Sequence, residues 1–190
     1  MTIGILALQG DFREHAAALS ALGVEAVTVR TPEAIAACDA LILPGGESTT
    51  IGKLMRRFGV DAALRAHHAA GRPLFGTCAG AILLSRVVTE GDVGQLGLLD
   101  ATISRNAYGR QTDSFETDLA IAGLDTPLRA VFIRAPRFVA LGTGVEVLAR
   151  VGDEPVLVRE GCVLAATFHP ELTADGRVHA LLVGMGRERA

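Results

Sequence analysis

What the chain lacks narrows the field first. Its 190 residues hold three cysteines, Cys38, Cys78 and Cys162, too few and too scattered for a disulfide framework. None falls in a C-x-x-C pair and no cysteine–histidine cluster has zinc-like spacing, so no metal site is expected. Such sparse cysteines suit a reducing compartment, and a cytoplasmic location is expected. No apolar run approaches the ~20 residues that span a bilayer. The start, MTIGILALQGDFREH, has no basic n-region and meets Asp11 early, so it reads as a first strand rather than a signal peptide. The formal net charge of −3 gives no sign of a surface for nucleic acid or anionic membrane. Internal repeats, low-complexity segments and linkers are also missing. One domain spanning residues 1–190 is the expectation.

What is present is a folded α/β pattern. Hydrophobic residues make up 49% of the chain and the 21% that are charged are dispersed, which argues against disorder. TIGILAL, VEAVTV, DALILPGG and PLFGT read as strands. Between them lie helical stretches: DFREHAAALSALG, a short one from Pro32, and material from about Ser48 to Ala70. A further helix is expected after Cys78. Repeated strand–helix units imply a mostly parallel, flavodoxin-like central sheet with right-handed crossovers. From LLDATIS onward the chain is strand-rich, and an extension of the sheet with antiparallel hairpins is expected. TADGRVHALLVGMGRERA closes the chain as a helix.

Chemistry concentrates in three places. Gly76-Thr77-Cys78-Ala79-Gly80 fits the G-x-nucleophile-x-G elbow with cysteine in place of serine. A strand-to-helix turn would lift the sulfur above the carboxyl edge of the sheet, where open α/β sheets bind ligands. A helix N-terminus lowers a cysteine pKa from its reference of ~8.5. The Ala79 amide would face a developing oxyanion. A packed, buried cysteine is the other reading of this pentapeptide.

His169 stands apart from the other histidines. His15, His67, His68 and His179 lie in helical surroundings as packed or solvated side chains, whereas CVLAATFHPEL sets His169 just past an apolar strand. In extended backbone, residues i and i+2 share a side, so Glu171 is placed to hold the imidazole as a triad's third member does. A routine Pro-Glu turn is the alternative. In DALILPGGESTT, Gly45-Gly46 permits a turn that exposes amides before Ser48 or Thr49 caps a helix. An ordinary turn would give the same residues, and a phosphate loop is a poor alternative because Gly-Lys-Ser/Thr spacing is absent.

FGTCAG with a distant FHPE resembles the class I, triad-type glutamine amidotransferases. LQGDFREH, LILPGGEST, RNAYGRQ, FIRAP and FHPEL together resemble one branch, the glutaminase subunits of pyridoxal 5′-phosphate synthase. The resemblance runs from residue 3 to about residue 175. It implies a glutaminase that converts L-glutamine to glutamate and ammonia, with Cys78 as nucleophile, His169 as base and acid, and Glu171 as its orienting partner. It places Gly46, Glu47, Ser48, Arg105, Ile133 and Arg134 around glutamine. It associates the LQG stretch, with Gln9 and Gly10, with an oxyanion hole that Gly46 and Ala79 would complete. It also implies a partner, a separate synthase subunit in a hetero-oligomeric complex that consumes the ammonia. Pyridoxal 5′-phosphate would be the product of that complex, so no cofactor is expected on this chain.

Two rival readings follow from the same residues. One is a glutaminase serving a different ammonia acceptor, which RNAYGRQ and FIRAP argue against. The other is a redox sensor or chaperone with an elbow cysteine, which has no use for His-Pro-Glu and leaves GGEST unexplained.

Overall fold

The computed structural model describes residues 1–105 and 114–188. Its first half alternates strand and helix: β1 (Thr2–Leu6), α1 (Phe12–Ala21), β2 (Glu25–Val29), α2 (Pro32–Ala36), β3 (Ala40–Leu43), α3 (Ser48–Arg57), α4 (Val60–Ala69), β4 (Leu74–Thr77) and α5 (Ala79–Leu84). Strands dominate the second half. β5 (Ser85–Val88), β6 (Leu99–Ser104), β7 (Phe115–Leu119), β8 (Leu128–Phe132) and β9 (Arg137–Leu141) come first. β10 (Glu146–Val151), β11 (Glu154–Glu160) and β12 (Val163–Ala166) follow, and α6 (Arg177–Arg187) closes the chain.

The main sheet has seven strands in the order β10-β11-β12-β4-β3-β1-β2. Its five strands from β12 to β2 are parallel, and β11 and β10 add an antiparallel edge. The parallel part, read β2-β1-β3-β4-β12, has the flavodoxin-like order. β3, β4 and β12 are buried at every position, as strands covered on both faces must be. Period-two alternation divides their side chains between two cores. Leu41, Leu43, Val163 and Ala165 face the layer that holds Ile51, Met55, Leu64 and Leu83. Ala40, Ile42, Leu164 and Ala166 face Leu19, Phe132, Val178 and Leu182.

Three features depart from the sequence reading. The helix after Cys78 is only six residues long: Ser85 turns extended, its hydroxyl donates back to the Ala81 carbonyl at 2.8 Å, and Ser85–Val88 becomes β5. That strand joins β6 and β9, so LLDATIS belongs to a separate three-stranded sheet rather than to the main one. The FETDLAI and LRAVFIR runs form β7–β8, an antiparallel hairpin outside the main sheet of the kind the sequence leads one to expect. The helical stretch from Ser48 is broken by Gly59 at φ +68, a conformation that glycine adopts at low cost.

Glycine also sets how closely α5 approaches the sheet. A Cβ on Gly80 would overlap the Leu43 carbonyl oxygen, and one on Gly76 would lie 2.6 Å from the Gly80 carbonyl carbon. By contrast, a Cβ on Gly184 in α6 would meet nothing within 4 Å. Gly80→Ala should therefore destabilise by at least about 2 kcal/mol, despite the better helix propensity of alanine. Gly184→Ala should stabilise by about 0.5–1 kcal/mol. Denaturant unfolding of the two variants checks both signs.

Candidate active site

Four neighbouring parallel strands, β12, β4, β3 and β1, each end in a loop that reaches the same cavity. β4 delivers Cys78. This residue sits at φ +47, ψ −103, and its N–H donates to the Ala166 carbonyl of β12 at 2.9 Å. A positive φ is costly for a side chain with a Cβ and persists only where the surroundings enforce it. Here the enforcement comes from the glycines on either side, which let the turn close against β3 and α5. Among the described residues the only other non-glycine with positive φ is Arg134, at +45, and it lines the same cavity.

β12 delivers His169 and Glu171. The His169 N–H donates to the Val131 carbonyl of β8 at 2.9 Å, which fixes the start of the 3-10 turn Pro170–Leu172. Nδ1 of His169 and Oε1 of Glu171 are 2.7 Å apart, with both residues buried. The expected pairing is present, although a tight turn rather than extended backbone brings the two together. The Cys78 side chain lies beside the imidazole, close enough to raise its pKa. Asp11 adds a second carboxylate 3.7 Å from Nδ1.

The β1 and β3 loops meet backbone to backbone. The Asp11 N–H donates to the Gly45 carbonyl at 3.1 Å, and Gly10 at φ +106 packs so closely there that a Cβ would overlap the same carbonyl. A Cβ on Gly45 would lie 2.6 Å from Cε1 of His169, and one on Gly46 would lie 2.7 Å from Oε1 of Gln9. The Glu47 N–H donates to that Gln9 oxygen at 2.7 Å. Glu47 itself is the N-cap of α3, in place of the Ser48 or Thr49 expected from sequence. Its carboxylate accepts from the N–H groups of Thr49 at 3.0 Å and Thr50 at 2.7 Å. Hydrogen bonding from the Thr50 hydroxyl, aided by those amides, holds the Glu47 pKa down to about 2. An Arg105 guanidinium nitrogen lies 3.3 Å from Oε1 of Glu47, and the Arg105 N–H is anchored by Glu90 at 3.0 Å.

The cavity is about 490 Å³, ordinary for a small-molecule site. Cys78, His169, Gly46, Glu47 and Ser48 line it, as do Gln9, Arg105, Ile133 and Arg134. Glu171 stands behind His169, and Ala79 and Gly10 lie outside the lining. The remainder of RNAYGRQ after Arg105 falls outside the described residues. Asp11, Ile82 and Leu172 join the wall without having been singled out from sequence. Donor atoms of Asp11, His169 and Glu171 lie within 4.8 Å of one another, but an ion there would have to break the His169–Glu171 hydrogen bond.

The profile of the SNO glutamine amidotransferase family matches residues 5–188. The chain belongs to that family. It is 58% identical over 179 residues to a Thermus thermophilus protein named pyridoxal 5′-phosphate synthase subunit PdxT, covering 93% of each chain. A protein of the same name from Niallia circulans is 50% identical over 188 residues, with 99% of each covered. A crystal structure described as a glutamine amidotransferase superposes with a TM-score of 0.94 at 54% identity, covering 97% of this chain and 98% of that one.

In this family member the electrostatics follow from burial and pairing. Burial alone would lower the His169 pKa, but hydrogen bonding and charge attraction from Cys78 and Glu171 outweigh it and raise it to about 10. Burial pushes the Glu171 carboxyl up, and its contact with His169 pulls it back. Both groups thus hold a proton more tightly when folded. The stability His169 contributes this way is complete below the unfolded value of ~6.5 and is lost as pH rises towards 10. Removing the sulfur should remove the leading stabilisation, so Cys78→Ala should bring the His169 pKa down from about 10. Titration of the His169 ring by NMR checks this, and an unchanged midpoint would contradict it.

Proposed function

We propose that this chain is the glutaminase subunit of a pyridoxal 5′-phosphate synthase, acting in the cytoplasm. The observation that carries the reading is the meeting of Cys78 with the hydrogen-bonded His169–Glu171 pair at the wall of a cavity that also holds arginines and an ionised carboxylate. Membership of the glutamine amidotransferase family supports the reaction class, and relatives named as synthase subunits support the pathway. No described helix is long and apolar enough to cross a membrane.

The geometry suits covalent amide hydrolysis. Glu171 holds Nδ1 of His169, so Nε2 is the atom left to take the Cys78 proton, and the raised His169 pKa makes it a good holder of that proton. The sulfur attacks the side-chain carbonyl of glutamine, and the carbonyl electrons move to oxygen. Amides of Gly46, Ala79 and the Gln9–Gly10 segment stabilise that oxyanion. As it collapses, His169 returns the proton to the departing nitrogen, ammonia leaves, and a γ-glutamyl thioester remains on Cys78. Water, deprotonated by His169, then releases glutamate and restores the thiol. Arg105 and Arg134 pair with the substrate's α-carboxylate, and Glu47 with its α-ammonium. Gly46, Ser48 and Ile133 shape the wall between them.

A redox-sensor reading uses none of the convergence on His169. Ammonia would lose its nucleophilicity once protonated in bulk water, which favours direct transfer to an attached synthase subunit. The test is ammonia release from L-glutamine with and without that subunit. Cys78→Ala should abolish release. Glu171→Gln should leave a folded protein with kcat down by about 10³–10⁴, because the imidazole loses its orienting charge. Full activity of either variant would overturn the assignment.

A further inference from the structure

The triad line does not stop at Glu171. One carboxylate oxygen, Oε1, is taken by His169, while the other, Oε2, is buried, accepts no hydrogen bond among the described residues, and lies 3.5 Å from Nε2 of His15. His15 projects from α1 and is wholly buried. Its Nε2 is 3.1 Å from the hydroxyl of Thr77, the residue before Cys78, and its Nδ1 is 2.9 Å from Nε2 of His179 in α6. The edge of Phe75 closes the pocket around both rings. Neither histidine has a role in the reaction as derived above.

We propose that His15 is a positioning residue for this reaction, a buried N–H donor fixed by His179 that supports the Glu171 carboxylate from behind. The role rests on the glutaminase reading. It follows from which protons the network can accommodate. Both imidazoles are neutral: burial above all, then the proximity of His179 and His169, holds the His15 pKa well below its usual value, and burial lowers His179 to about 4. Two neutral rings joined by one hydrogen bond allow two arrangements.

In the first arrangement His15 donates from Nδ1 to His179. His179 then carries its proton on Nδ1, a buried atom with no hydrogen-bond partner among the described residues. The bare Nε2 of His15 also turns a lone pair towards Glu171. In the second arrangement His179 donates from Nε2 to Nδ1 of His15. His15 then presents Nε2–H to the Thr77 hydroxyl and the Glu171 oxygen, and only an acceptor is left without a partner. Orphaned buried donors are rarer than under-used acceptors, and a donor facing a carboxylate is attractive. The second arrangement is therefore the one the packing selects.

The consequence reaches the reacting atoms. Glu171 is faced by His169, His15 and Asp11, and of these Asp11 opposes its charge. His15 supplies the compensating dipole where Oε2 has no other donor among the described residues, so it favours the ionised Glu171 that holds the proton on Nδ1 of His169.

Two measurements on the complex with the synthase subunit test this. In the first, glutamine turnover is compared for wild type, His15→Phe and His15→Gln, the last keeping a donor near the Nε2 position. His15→Phe should lower kcat by about 10- to 100-fold with little change in KM, and shift the pH profile of kcat. His15→Gln should recover most of that loss. In the second, nitrogen-15 NMR of histidine-labelled wild type should find His15 and His179 neutral and protonated at Nε2. A folded His15→Phe with wild-type kcat and pH profile overturns the proposal, as does a His15→Gln no better than His15→Phe. His15 protonated at Nδ1, in a wild type that turns over glutamine, overturns it alone. A wild type with no turnover overturns the glutaminase reading, and this role with it.

Discussion

The site depends on one close approach, that of the α5 backbone to the end of β3. Gly80 touches the Leu43 carbonyl so nearly that no side chain fits between them, and Gly76 meets Gly80 in the same way. This contact lets the chain turn from β4 into α5 within one residue and forces that residue, Cys78, to φ +47. The strain is local, of the order of 1–3 kcal/mol, and the surrounding fully buried strands over-determine it. A cysteine on an ordinary turn would lie along the sheet. Here it stands above the carboxyl edge, within reach of the His169 ring.

The parallel order around it does the rest. β12, β4, β3 and β1 are immediate neighbours, so a histidine after one, a cysteine after the next and glycine loops after the other two converge without long excursions. The loops from β1 and β3 are locked to each other through Gly10 and Gly45, and Gly45 in turn abuts the His169 ring. Because backbone rather than flexible side chain makes these contacts, the imidazole has little freedom to leave Glu171. Beneath the triad, α1 sets His15 beside the same carboxylate, and α6 sets His179 against His15. The cavity wall, the triad and its buried support are thus one packed unit.

Much of this was legible in the sequence, and the exceptions have physical causes. Apolar runs with no alternation identified the buried parallel strands, and glycines flanking Cys78 identified the elbow, because these patterns follow directly from burial and backbone sterics. The family resemblance named the lining residues from Gly46 to Arg134 that the folded chain gathers at one cavity. The second half was harder. LLDATIS and LRAVFIR read correctly as strands, but which sheet a strand joins is decided by long-range pairing that local pattern does not encode. β5 was hidden because AILLSRVV is apolar except at Ser85 and Arg86, and a hydroxyl bond from Ser85 marks where helix gives way to strand. His15 and His179 lie 164 residues apart, and only the fold brings them together behind Glu171. Glu47 as the α3 cap was overlooked because the adjacent serine and threonines are the commoner caps.

The central claim is that Cys78 is the nucleophile of a glutamine site. Its most direct test is labelling with a diazoketone analogue of glutamine, which alkylates the residue that attacks the side-chain carbonyl position, followed by peptide mass spectrometry of the complex with the synthase subunit. The account predicts modification at Cys78, protection by L-glutamine, and loss of ammonia release in step with labelling. Labelling at Cys38 or Cys162 instead, or continued ammonia release from protein fully modified at Cys78, would contradict it.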